Sequence, residues 1–219
     1  MELNVIFDNL KYIFQATSVT VKITLISFTL SILIGVIIGI IRSSRAPKII
    51  DLILSIYVEI NKGVPLLIIL LFIYYGLPFI GIKINSFIIA IMGLSLNSGA
   101  YISEIFKWAI LSVPAEQSEV AYILGMNKLQ TLIHIIYPQA LRIALPTLVS
   151  SFAALLKDSS LVSILTVTEL TRGGQLIYAR TSRPFEIYFF VGLIYFIMVF
   201  IISTIAKELE KNINNKYSI

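Results

Sequence analysis

Two adjacent ionisable side chains, Lys157 and Asp158, lie inside an otherwise apolar stretch of the chain. A charge at bilayer depth costs roughly 2.5–3.5 kcal/mol on insertion scales, so such residues mark candidate sites for polar substrates. On a helix these two side chains point about 100° apart, so one can line a cavity while the other bonds elsewhere. An ion pair with another segment, or Lys157 reaching the membrane surface, would explain the same residues without a binding site.

A second candidate is the run that contains Asn97, Ser98 and Tyr101. Asn97 and Tyr101 are spaced i,i+4, which places them on one face of a helix. Their amide, hydroxyl and phenol groups can bind the polar ends of a substrate, but small Ser98 equally favours close packing of helices. The sequence leaves both roles open. Trp108, further along the same run, is interpreted as an anchor at the membrane interface.

A third candidate is a polar interruption within an apolar segment. Glu59 and Lys62 are spaced i,i+3 and can pair with each other, while Gly63 and Pro65 interrupt the helix. Interrupted spans expose backbone groups at the binding sites of transporters. The candidate substrate pathway therefore comprises Glu59, Gly63, Asn97, Ser98, Tyr101, Lys157 and Asp158.

The composition places these residues in a membrane. Of 219 residues, 58% are hydrophobic and 13% are charged, and the mean hydropathy is +0.93. A soluble domain carries about a quarter charged residues, so an ordinary soluble enzyme is excluded. The chain has no cysteine and one histidine, so we expect no metal and no other cofactor. The net charge of +5 is attributed to cytoplasmic loops rather than to nucleic-acid binding.

We predict an all-α integral membrane protein with about five transmembrane helices. Residues 1–18 form an N-terminal interfacial segment, 19–206 the membrane domain with a cytoplasmic loop at about 107–142, and 207–219 a cytoplasmic tail. The predicted spans are Val19–Ile41, an interrupted span within Ile49–Tyr75, Ser86–Phe106, Ile143–Val167 and Ile187–Ala206. The first span is followed by a basic cluster, Arg42, Arg45 and Lys48, which predicts an external N-terminus and a cytoplasmic C-terminus.

The polar stretch between the third and fourth spans has the signals of two short helices. Pro114 suits the first position of a helix, and Gly125 suits a left-handed residue at its end. Asn127 followed by Gln130 is typical of a capping box that begins a second helix, and Pro138 is expected to end it. From spacing alone, this loop is either a surface helix lying on the membrane or a docking element for a soluble partner.

The pattern Glu119-x-Ala121-x-x-Leu124-Gly125, nine residues, then Ile135-Ile136-Tyr137-Pro138, resembles the EAA loop of ABC importer permeases. The sequence departs from that pattern at Val120 and Tyr137, and both substitutions are apolar. Other runs resemble the polar amino-acid uptake permeases, and together they cover most of the chain: Lys62–Leu67, Ile73–Pro78, Leu96–Tyr101, Pro138–Arg142, Leu156–Leu161 and Glu169–Arg172. The resemblance implies that the residues coupled to the ATPase are Glu119, Ala121, Gly125, Asn127, Ile135 and Pro138.

The resemblance also implies a fold and partners. The fold would be that of a type I ABC importer permease in a bacterial cell membrane, surrounded by lipid. A second permease subunit, most simply a second copy, would complete the pore, with cytoplasmic ABC ATPases and an external amino-acid-binding protein. The chain has no G-x-x-x-x-G-K-[ST] loop, so it would not hydrolyse ATP itself. Gly93–Asn97 and Gln175–Thr181 look most like cystine-type permeases.

Two other classes of function fit the sequence less well. A self-sufficient channel or secondary transporter fits the apolar spans, but such a carrier has no need of a compact cytoplasmic loop. An intramembrane enzyme is not supported, because the sequence has no nucleophile–base pair and no metal-ligand spacing.

Overall fold

The computed structural model describes residues 4–44 and 47–217, and within these ranges the regular structure is helical. Four helical segments are long and apolar enough to cross a membrane, and one bent pair of helices makes a fifth candidate span. The predicted all-α membrane fold with about five spans is therefore confirmed. The helices are α1 (Asn4–Ser43), α2 (Lys48–Gly63), α3 (Leu66–Phe79), α4 (Ser86–Leu111), α5 (Ala115–Ile123), α6 (Lys128–Thr131), α7 (Tyr137–Asp158), α8 (Leu170–Thr181) and α9 (Pro184–Tyr217).

Helix α1 is continuous over 40 residues. At 1.5 Å per residue it is about 60 Å long, roughly twice the hydrocarbon thickness of a bilayer. The expected boundary after residue 18 is not a break in the helix, since Asn4–Ser43 is one continuous α-helix. On either side of it, the Thr17 and Thr20 hydroxyls donate to the carbonyls of Ile13 and Ala16. An interfacial position for the first turns remains a prediction. Arg45 of the basic cluster lies outside the described residues.

The interruption predicted in the second span is a sharp bend. Helices α2 and α3 meet at 110°. Val64, which precedes a proline, is extended at φ −101° and ψ 131°, and Pro65 precedes the first turn of α3. A residue before proline disfavours the helical conformation, so the helix ends here.

Helices α1 and α4 pack closely because α1 carries glycines at their contact. A Cβ on Gly35 would come within 2.4 Å of Ile102, and one on Gly39 within 2.7 Å of Phe106. Both partner side chains are fully buried. Small residues allow membrane helices to approach closely, so α1 and α4 form a closely packed pair, against which α2, α3, α7 and α8 pack.

Pro138 does not end the helix that contains it, so this prediction was wrong. Residues Leu132–Ile136 form a π-helical turn that joins α6 to α7, and the N–H of Tyr137 bonds to the carbonyl of Leu132. A π turn changes the spacing at which the proline ring would otherwise meet the carbonyl four residues back. The helical run therefore extends from Lys128 to Leu165, the last part as a 3₁₀ segment, Ser159–Leu165.

Helix α9 runs past the predicted end of the fifth span at Ala206. The first part of the predicted cytoplasmic tail is therefore a continuation of this helix. Between the 3₁₀ segment and α9, the short helix α8 packs against α1 and α9.

Candidate functional site

A cavity of about 490 Å³ lies where the bend between α2 and α3 meets α4 and α7. It brings together five residues that the sequence analysis selected: Gly63, Asn97, Ser98, Tyr101 and Asp158. Its volume falls in the range of small-molecule pockets. The full lining is Lys62, Gly63, Val64, Pro65, Leu66, Asn97, Ser98, Tyr101, Ser151, Ala154, Leu155 and Asp158.

Two other candidates, Glu59 and Lys157, do not line this cavity. Both residues are exposed. As expected for adjacent residues on a helix, the side chain of Lys157 points away from the face that carries Asp158. Lys62 can reach Glu59 by its i,i+3 spacing, but no ion pair joins the two in the structure, and Lys62 lines the cavity instead.

Asn97 holds α4 to the end of α2. Its side-chain amide donates a 2.7 Å hydrogen bond to the carbonyl of Asn61. The Asn61 amide in turn donates to the carbonyl of Tyr57 at 2.9 Å, and the Tyr57 hydroxyl donates to the carbonyl of Leu96 at 2.6 Å. These bonds satisfy backbone groups near the bend and fix one wall of the cavity. One of the two roles left open for Asn97, contact between helices, is therefore present in the structure.

Asp158 and Lys62 give the cavity one carboxylate and one ammonium group. Asp158 is the last residue of α7 and is partly buried, and its carboxylate makes no hydrogen bond or ion pair within the described part of the chain. The opposite charges can bind the two charged ends of a zwitterion, and the hydroxyls of Ser98, Tyr101 and Ser151 lie in the same lining. Such groups offset the cost of removing water from a charged ligand.

Sequence reasoning missed Lys62, Ser151 and Ala154 as lining residues. For Lys62 the sequence analysis considered only a local pair with Glu59, so its place in the cavity lining was not predicted. Ser151, Ala154 and Asp158 recur at i+3 and i+4 spacing along α7, so helical periodicity counted back from Asp158 would have found that wall.

The loop between α4 and α7 has the predicted local structure. Gly125 has φ +82°, and its N–H bonds to the carbonyl of Tyr122, while Met126 N–H bonds to that of Ala121. Asn127 and Gln130 form a capping box with two hydrogen bonds of 2.9 Å. The left-handed glycine and the second helix start are thus confirmed.

The loop presents an exposed apolar surface, which we call the apolar tip. Of the residues selected for ATPase coupling, Glu119, Gly125 and Asn127 are exposed, Ile135 and Pro138 are partly buried, and Ala121 is buried. Large exposed apolar patches mark interaction sites. The apolar tip comprises Val120, Tyr122, Ile123, Leu124 and Leu129, each more than half exposed.

A buried carboxylate, Glu169, begins α8. It is fully buried and accepts hydrogen bonds from the N–H groups of Thr171 and Arg172 at 2.9 and 2.7 Å. The hydroxyl of Tyr195 on α9 also donates to it at 2.8 Å. Burial raises the pKa of this carboxyl, although the two backbone N–H groups act in the opposite direction. Glu169 therefore joins α8 to α9 through a group that is costly to keep charged.

Comparison with known sequences finds a family and close relatives. Residues 31–215 match the profile of the family described as binding-protein-dependent transport system inner membrane component. The chain is 36% identical over 196 residues to the L-cystine transport system permease protein TcyB of Bacillus subtilis (strain 168), covering 89% of this chain and 83% of that protein. It is 32% identical over 208 residues to the glutamine transport system permease protein GlnP of Escherichia coli (strain K12), covering 94% of each.

Comparison with solved structures finds the same fold. The chain matches the crystal structure of an amino acid ABC transporter with histidines at a TM-score of 0.89 and 33% identity, covering 97% of this chain and 99% of that one. An inward-facing structure of the MetNI methionine ABC transporter matches at a TM-score of 0.78 and 18% identity, covering 94% and 98% of the two chains. The second match shows a shared fold only.

Proposed function

This chain belongs to the family of binding-protein-dependent transport system inner membrane components, and we propose that it carries a polar amino acid through the membrane as the permease subunit of an ATP-driven importer. It has the type I ABC importer permease fold. It is a transport subunit of the bacterial cell membrane, and ATP hydrolysis belongs to a separate subunit. The relatives named for L-cystine and glutamine support an amino acid as the substrate.

The observation that carries this proposal is the cavity at the α2–α3 bend. Asp158 provides a carboxylate for the substrate ammonium group, and Lys62 provides an ammonium group for the substrate carboxylate. A free amino acid loses hydration at both ends when it enters a membrane, and this pair offsets that cost. Glu59 and Lys157, which lie off the cavity, have no direct part in this site.

L-Cystine is the first amino acid to test, and L-glutamine is the second. Of the two segments that resemble cystine-type permeases, Gly93–Asn97 lies in α4 and ends at the cavity, whereas Gln175–Thr181 lies in α8 outside its lining. The external binding protein supplies much of the selectivity in such systems. The choice between these amino acids therefore depends on uptake measurements.

The apolar tip is proposed as the docking surface for the ATPase. Ile123 and Tyr122 are 81% and 80% exposed. Exposing such large apolar side chains to water is unfavourable, so a partner that covers them would stabilise the loop. The left-handed turn at Gly125, after the end of α5, and the capping box at Asn127 hold this surface in place. Glu119 and Ala121 lie on α5 itself, and Ile135 and Pro138 join the loop to α7.

The remaining partners follow from the apolar exterior of the spans. Large exposed side chains such as Phe72, Phe79, Phe196 and Phe200 cover α3 and α9. We assign these surfaces to lipid and to a second copy of this chain, which completes the pore. The N-terminus faces the outside. Cysteines placed at Asn85 or Ser182 should then react with an impermeant thiol reagent, and those at Ser44, Asn127 or Asn214 should stay protected in sealed cells.

Co-purification tests the assignment. We expect an ABC ATPase to copurify with the tagged wild-type chain from native membranes, and Ile123→Asp to abolish this. Gln117→Asp introduces the same charge at an exposed position in the first turns of α5 and should retain the ATPase. A self-sufficient transporter would purify without an ATPase and would be indifferent to both changes.

A further inference from the structure

A second cavity, of about 310 Å³, lies beside the first along the contact between α4 and α7. Helix α4 contributes Tyr101 to the first cavity and Glu104, one turn on, to the second. Helix α7 contributes Ser151 to the first and Thr147 to the second. Each pair is spaced i,i+3 or i,i+4, so the two cavities follow one helical face toward the end of α4 that leads to the apolar tip.

The carboxylate in the second cavity is held in place from α1. Arg42 Nη1 donates to Glu104 Oε1 in an ion pair, and the two side chains are 6% and 21% exposed. Within the described part of the chain, Glu104 Oε2 has no hydrogen-bond partner. Arg42 therefore fixes one carboxylate oxygen and leaves the other for the cavity. Because α1 and α4 pack closely, the ion pair holds the Glu104 carboxylate in this orientation.

An aromatic ring lies on the same wall. Trp108 follows Glu104 at i,i+4, lines the same cavity and is 62% exposed. The face of an indole attracts organic cations, with an energy of about 0.5–1 kcal/mol at exposed sites and more when water is excluded. A carboxylate beside a tryptophan therefore matches an ammonium group. The interfacial position predicted for Trp108 is compatible with this charged neighbour and remains a prediction.

We propose that Glu104, positioned by Arg42, and Trp108 form a second binding site for the ammonium group of the transported amino acid. The proposal rests on the proposed function, because it requires that this chain conducts the substrate. The Arg42 guanidinium partly neutralises Glu104, whereas Asp158 is in no ion pair in the described structure. The second site is therefore the weaker one. Weak successive sites allow a substrate to enter and also to leave.

Uptake by the complete transporter tests this proposal. The chain, its ATPase and its binding protein are reconstituted in liposomes, and ATP-driven uptake of radiolabelled L-cystine and L-glutamine is measured. Glu104→Gln keeps a hydrogen-bond acceptor for Arg42 but removes the charge, and we expect the maximal rate to fall about five- to tenfold with little change in KM. Trp108→Leu should lower the rate in the same way. Trp108→Phe, which retains an aromatic face, should stay within about twofold of wild type.

The outcomes separate this inference from the proposed function. If the wild-type complex takes up neither amino acid with ATP, the proposed function fails. If the wild type is active and both Glu104→Gln and Trp108→Leu transport at the wild-type rate, only the second site is refuted. Equal losses in Trp108→Phe and Trp108→Leu would refute the cation–aromatic contact. If Glu104→Gln prevents assembly with the ATPase, the two Trp108 variants decide the question, since an exposed side chain can be changed without unfolding the protein.

Discussion

The side-chain amide of Asn97 donates a 2.7 Å hydrogen bond to the backbone carbonyl of Asn61, and this bond joins α4 to the last turn of α2. Asn61 lies at the end of a helix whose last carbonyls have no partner within the helix. Both residues are buried, at 7% and 8% exposed. The bend at Gly63 and Pro65 is therefore held by a side chain from the neighbouring span, which shapes the first cavity.

Removing this bond should loosen the bend. For Asn97→Ala we expect the free energy of unfolding to decrease. The decrease should lie between about 0.6 kcal/mol, typical of a hydrogen bond between membrane helices, and roughly 3 kcal/mol, the cost of leaving a buried carbonyl without a partner. Both Tm in detergent and uptake should fall. Ser98→Ala is the matched control for Tm, since Ser98 lines the same cavity but has no part in the Asn97–Asn61 hydrogen bond. Equal Tm values for wild type and Asn97→Ala would show that the bond is not structural.

Asp158 and Lys157 form a natural pair of test and control. Asp158→Asn keeps the shape of the cavity but removes its carboxylate, so uptake should fall about tenfold or more, equivalent to roughly 1.4 kcal/mol of lost interaction. Lys157→Gln changes the adjacent exposed side chain and should leave uptake unchanged. The ATPase should still copurify with both variants, and the affinity of the binding protein for its ligand should not change. Wild-type uptake by Asp158→Asn would make Asp158 a structural residue.

Gly125 tests the role of the loop. Its φ of +82° is poorly tolerated by a β-branched residue, although a Cβ there meets no neighbouring atom within 4 Å. Gly125→Val should therefore insert in the membrane normally but uncouple ATP hydrolysis from uptake. Asparagine tolerates a left-handed conformation, so Gly125→Asn should remain largely coupled. The two activities are measured together in liposomes. Normal coupling in Gly125→Val would mean that the turn has no part in docking.

Glu169 predicts a pH dependence of stability. Burial raises its pKa, so the folded protein binds this proton more tightly than the unfolded chain does. Its contribution to stability is fully present below the ordinary glutamate pKa and is lost as pH rises through the raised value. The Tm of wild type relative to Glu169→Gln should therefore fall as pH rises from the ordinary glutamate pKa through the raised value. Glu116→Gln, exposed on α5, is the control, and a constant difference across this range would contradict the argument.

Local signals in the sequence predicted much of this molecule. The apolar runs predicted the spans, and Gly63 and Pro65 predicted the bend. Gly125 and Asn127 predicted the turn and the second helix start of the loop. Each of these features depends on residues close together in the chain. The continuity of α1 was not predicted, because polar residues near its start indicated a separate interfacial segment. The π turn before Pro138 was not predicted either, because a proline is a helix-ending signal that tertiary context can override.

The contacts that shape the two cavities could not be predicted in this way. Arg42 and Glu104 meet only because α1 packs on α4, and Glu169 is buried only because α8 packs on α9. Lys62 reaches the cavity because the helix bends after it, so its local spacing to Glu59 was misleading. The residues of such pairs lie far apart in the sequence or meet only through the tertiary structure. Local patterns in a single sequence therefore do not identify them.

Uptake by the reconstituted complex tests the central claim most directly. The chain is placed in liposomes with its ATPase and binding protein, and entry of radiolabelled L-cystine or L-glutamine is followed with ATP, without ATP and with an ion gradient alone. The amino-acid importer proposed here should take up one of these amino acids only with ATP, and removal of the ATPase should abolish uptake. Accumulation driven by an ion gradient in liposomes that contain this chain alone would contradict the account and favour a secondary transporter.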